Sequence, residues 1–71
     1  MTSYAIVIEQ AANNFAAYAP DVPGCVATGT TVDEVTTLMT EALETHIELM
    51  RASGEDVPEP ATVVRSVDIS S

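Results

Sequence analysis

Two side chains in this sequence have the types that nucleophilic catalysis needs. Cys25 could attack as a thiolate, with His46 as the base that takes its proton. Their surroundings argue against the pairing. No lysine or arginine stands near Cys25 in sequence to lower its pKa, and the acidic neighbourhood raises it. His46 falls inside an apolar helical stripe, where a packed histidine is the ordinary occupant. Carboxylates are the second chemical resource. Glu34, Glu41 and Glu48 recur every seven residues, with Glu44 beside them. Paired carboxylates can hold Mg²⁺ for phosphoryl chemistry, but these form a convex ridge along one helix face, which does not focus a metal. Cys25 and His46 are too few soft ligands for a structural zinc. The stretch "PGCVATGTT" lacks the spacing and the lysine of a phosphate-binding loop. No catalytic, metal-binding or cofactor-binding residue is therefore expected. The ridge of Glu34, Glu41, Glu44 and Glu48 reads as a solvated face or as a docking surface for a basic partner.

The elements that must position these residues can be read along the chain. Residues 3–10, "SYAIVIEQ", alternate as a strand, with Tyr4, Ile6 and Ile8 on one face. "AANN" follows, and Asn13-Asn14 can supply the φ > 0 positions of a tight hairpin turn. Residues 15–19, "FAAYA", return as a second strand. Val22-Pro23-Gly24-Cys25 fits a type II turn, with proline second and glycine third. A third strand over residues 25–30 follows, with Gly29 as a bulge or exit.

The longest element comes next. Thr31 precedes Glu34 by three residues, the spacing of a capping box, and no glycine or proline interrupts residues 32–52. Val35, Leu38, Met39, Ala42, His46, Leu49 and Met50 form one stripe on a helical wheel, with Leu43 at its edge. Ser53-Gly54 stops the helix, and Pro58 and Pro60 prevent its resumption. "TVVRSVDIS" then returns to period two, placing Val63, Arg65, Val67 and Ile69 on one face. The order is β-β-β-α-β in a single domain over residues 1–71, an α+β fold with the helix on one face of a small, mainly antiparallel sheet. Ala5, Val7, Ala16, Tyr18 and Val64 are expected on the opposite sheet face.

Size and charge limit the function. A chain of 71 residues buries only about 60% of its unfolded surface. With one cysteine and no zinc cluster, self-association is the expected further support. Eleven acidic residues against two arginines and no lysine give a net charge of −9. Such a chain has almost nothing with which to neutralise phosphates, so direct nucleic-acid binding is not expected. An anionic membrane surface would repel it, and no apolar run approaches a bilayer span. The lone cysteine and the absence of a basic, signal-like opening point to the cytoplasm. A basic protein partner, steered electrostatically, suits the charge.

Several motifs in order resemble a family. Tyr4, Ile6, Ile8 and Glu9 open the chain; Pro20, Asp21, Pro23, Gly24 and Cys25 form a Pro-Asp-x-Pro-Gly-Cys turn. Gly29, Thr31, Asp33 and Glu34 lead into the helix, and Glu41, Ala42 and Leu43 form a triplet within it. Gly54, Val57, Pro58 and Pro60 form the exit. Together they resemble the HicB-like antitoxins, the small acidic partners of HicA toxins. The resemblance implies a partial RNase H-like fold that forms dimers or tetramers. It also implies neutralisation of a small, basic, RNA-cleaving HicA-type toxin by protein–protein contact. The turn from Pro20 to Cys25 would then be structural, and the acidic ridge would be the candidate partner-binding face. Many relatives carry a C-terminal DNA-binding module; this sequence reads as a stand-alone member without one, so direct repression of an operon is not expected. The alternative is a HicB-like oligomeric module that regulates or binds a small molecule and has no toxin partner.

Overall fold

A computed structural model describes residues 2–70. Three short strands, β1 (Val7–Gln10), β2 (Phe15–Tyr18) and β3 (Val26–Gly29), form an antiparallel sheet in the order β1-β2-β3. One helix, α1 (Val32–Ala52), follows. This is the α+β arrangement expected from the sequence, with three antiparallel strands and then one long helix.

The registers show how the sheet sorts its side chains. Ile8, Ala17 and Ala27 stand opposite one another across the three strands, on the face that meets the helix. Ala17, Val35 and Met39 are buried there with Ala19, Val22 and Cys25. The alanines let the helix approach closely, and Val22 and Cys25 reach the same core from the β2–β3 connection. The other face carries the row Val7, Tyr18 and Val26, with Val26 67% exposed.

Both helix ends are closed by local bonds. Thr31 Oγ1 accepts from the Glu34 amide at 3.0 Å. The Glu34 carboxylate accepts from the Thr30 amide at 2.7 Å and from its hydroxyl at 3.1 Å. The capping box thus closes one residue earlier than its usual return to the cap itself. At the other end, the Glu55 amide donates to Met50 O and the Gly54 amide to Arg51 O, a Schellman motif with Gly54 at φ 75°.

Three expectations are corrected. Asn13 and Asn14 do not take φ > 0; among the described residues only glycines do. The Ala11 amide instead donates to Asn14 O at 2.8 Å, and a longer loop reverses the chain without left-handed residues. Second, the stripe on α1 is only partly buried. Val35 and Met39 are fully covered, but Leu38 is 40% and Leu49 62% exposed. The helix lies over β3 and β2, and four-residue strands cannot cover a 21-residue helix about 30 Å long. Third, residues 62–70 pair with no strand. Val63, Val64, Val67 and Ile69 stand exposed, so Val64 does not join the row on the open sheet face.

Candidate protein-docking site

The turn from Pro20 to Cys25 is built as its residue types require. The Cys25 amide donates to Val22 O at 3.3 Å, and Gly24 takes φ 86°. The turn tucks Val22 and Cys25 into the core and leaves the Asp21 carboxylate free to receive the end of the chain. Asp21 accepts from the amides of Ala61 and Thr62, both at 3.0 Å, and from the Thr62 hydroxyl at 2.9 Å. Those backbone amides hold its carboxyl below the usual value. The sequence showed no signal for this role beyond a carboxylate flanked by prolines. A second tie joins the ends of the chain: the Tyr4 hydroxyl donates to Pro58 O at 2.6 Å.

Cys25 and His46 do reach the same groove, between β3 and α1. The thiol is nonetheless buried, and burial pushes its pKa up. A thiol protonated in this way is a packing group and a poor nucleophile. Among the described residues, no cluster of three or more His, Cys, Asp or Glu side chains is placed to hold a metal. No described helix is long and apolar enough to cross a membrane.

The acidic ridge divides along the two flanks of α1. Glu34 is spent on the helix cap. Glu41 stands on the rim of the groove beside β3, a shallow space of about 400 Å³. Glu44 and Glu48 stand on the rim of a larger groove of about 690 Å³ on the opposite flank. That groove runs between α1 and the segment leading into β1, and half-buried Tyr4, Ile6, Leu43 and Ile47 contribute to its walls. Apolar walls edged by Glu44, Glu48 and the single cation Arg51 suit a protein surface that presents an apolar anchor flanked mainly by basic side chains.

A family model for the HicB-like antitoxins of bacterial toxin–antitoxin systems matches residues 4–69. The chain belongs to the HicB-like antitoxin family. Among solved structures, this HicB-like chain is similar to one in a HicA3 and HicB3 toxin–antitoxin complex, with TM-score 0.71 and 32% identity. The match covers 84% of this chain and 70% of that one. A 14.9 kDa protein from the rep–hol intergenic region of Haemophilus phage HP1 (strain HP1c1) is 38% identical over 55 residues. That match takes in 78% of the HicB-like chain but only 41% of the phage protein.

Proposed function

We propose that this chain is an antitoxin that binds and neutralises a small, basic, RNA-cleaving toxin of the HicA type, and that it does so by protein–protein contact without catalysis. The observation that carries this is the likeness in sequence and fold to a chain solved in a HicA3–HicB3 complex. The net charge of −9 supports it, because an acidic chain complements a surface built to hold RNA phosphates. The Glu44–Glu48 flank of α1 is the face offered to the toxin. Glu41, on the opposite flank, and Glu34, at the cap, contribute only to the long-range field. The chain also self-associates, since its small core leaves apolar surface exposed.

Co-expression with a HicA-type protein encoded beside this chain tests the proposal. The two should co-purify at low salt, separate as salt rises, and restore growth to cells that express the toxin. Failure to co-purify at low salt would remove the antitoxin assignment.

A further inference from the structure

The larger groove has two walls that belong to distant parts of the chain. One is the flank of α1 that ends at Arg51, and the other is the segment that carries Tyr4 and Ile6. Residues 53–58 connect them. The chain leaves α1 through the turn at Gly54, whose amide donates to Arg51 O. It then reaches Pro58, whose carbonyl accepts from the Tyr4 hydroxyl at 2.6 Å. Tyr4 is therefore both a wall of the groove and the anchor of a strap that crosses from one wall to the other. Val57 and Pro58 are half-buried at that crossing, while Glu55, Asp56 and Glu59 are exposed.

The strap is stiff for its length. Pro58 and Pro60 fix their own φ and confine Val57 and Glu59 to extended backbone. Asp21 accepts from the Ala61 and Thr62 amides and pins the far end. We propose that residues 53–62 set the width of the docking groove, and that the toxin binds the strapped form. The inference rests on the antitoxin reading above. With the strap attached, Tyr4 is held at a fixed distance from Leu43 and Ile47, and an apolar anchor meets a preformed slot. With it detached, the Tyr4 wall is free to move away from α1. Apparent affinity then falls by the fraction of chains that remain strapped. Linkage makes the effect reciprocal: bound toxin holds the strap down by the same factor.

Amide exchange and calorimetry on the full chain with a HicA-type toxin test this. Toxin should slow exchange at Ala61 and Thr62 about fivefold or more, although neither residue lines the groove. Tyr4→Phe keeps the ring in the wall and removes the tie. A Gly-Gly insertion between Asp56 and Val57 lengthens the strap and leaves every groove residue and every charge in place. Each change should weaken toxin binding about fivefold or more, with helix content by circular dichroism unchanged. Because no charge is altered, the loss should persist at high salt, unlike the loss from reversing Glu44 and Glu48. Toxin that binds without slowing Ala61 and Thr62, or that binds both variants as tightly as the native chain, would overturn the strap and leave the antitoxin reading standing. Toxin that does not bind the native chain would remove both.

Discussion

A β-carbon placed on Gly29 would stand 2.9 Å from the backbone nitrogen of Val35 and 3.1 Å from its Cα. The glycine ends β3 where the first turn of α1 crosses the sheet, so the contact sets how closely helix and sheet approach. Gly29→Ala should cost about 1–3 kcal/mol, because backbone rather than a flexible side chain must move. Gly54→Ala meets open space and bears only its left-handed conformation, about 1 kcal/mol. Urea denaturation of the two variants should rank them in that order. The reverse order would mean that helix and sheet are not in such close contact.

Asp21 should make attachment of the C-terminal segment depend on pH. Its folded pKa lies below the ordinary 3.8, so the carboxylate stabilises the docked state above that value. The contribution is lost as pH falls from about the ordinary value through the depressed folded one. At neutral pH, Asp21→Ala should speed amide exchange at Ala61 and Thr62 and leave α1 protected. Unchanged exchange at those two amides would show that the carboxylate does not hold them.

Cys25 should behave as a core residue. Alkylation by iodoacetamide at mildly alkaline pH should be at least about tenfold slower in the folded chain than in urea, since the thiol is buried and its ionisation is opposed. Cys25→Ser should destabilise the fold by about 1–3 kcal/mol by placing a hydroxyl in an apolar site. Fast labelling of the folded protein would reopen the case for a reactive cysteine.

Much of this was legible from residue types alone. The helix over residues 32–52 has its cap at Thr31, its stop at Gly54 and an unbroken interior, and all three signals are local. The turn at Val22–Cys25 was equally local. What could not be read depended on distant parts of the chain. The period-two pattern of residues 62–70 says that a strand is suited to them, but not whether any edge lies within reach. The apolar stripe includes Leu38 and Leu49, but their exposure follows from the shortness of the sheet. Val22 sits between proline-marked turns, where pattern predicts a loop, yet it is 1% exposed. On the ridge, spacing marks Glu34 both as a capping-box residue and as part of a set with Glu41, Glu44 and Glu48, and the structure engages it at the cap.

Charge reversal should separate the carboxylates by role. Glu44→Lys and Glu48→Lys together should weaken binding of a HicA-type toxin about tenfold or more, with the loss shrinking in high salt. Glu34→Gln should leave that affinity nearly unchanged and lower stability by about 0.3–1 kcal/mol, because the amide keeps the bond to Thr30 but loses the favourable charge at the helix N-terminus. Titration calorimetry and thermal melts on the same proteins would distinguish these effects. Equal losses of affinity from Glu34→Gln and the double reversal would remove the distinction between cap and docking face.

The bonds from Tyr4 to Pro58 and from Asp21 to Thr62 join residues 54 and 41 positions apart. The sheet and helix, by contrast, are assembled from neighbours along the chain: a hairpin, a returning strand, and a helix that folds back onto them. Contacts between close neighbours in sequence form soonest, and long closures wait for a body to close upon. The two ties therefore belong to a later step. They can also open by themselves, as a local event that leaves the core of Ala17, Val35 and Met39 assembled. The segment from Pro58 to Ser70 thus has a lifetime of attachment separate from the lifetime of the fold.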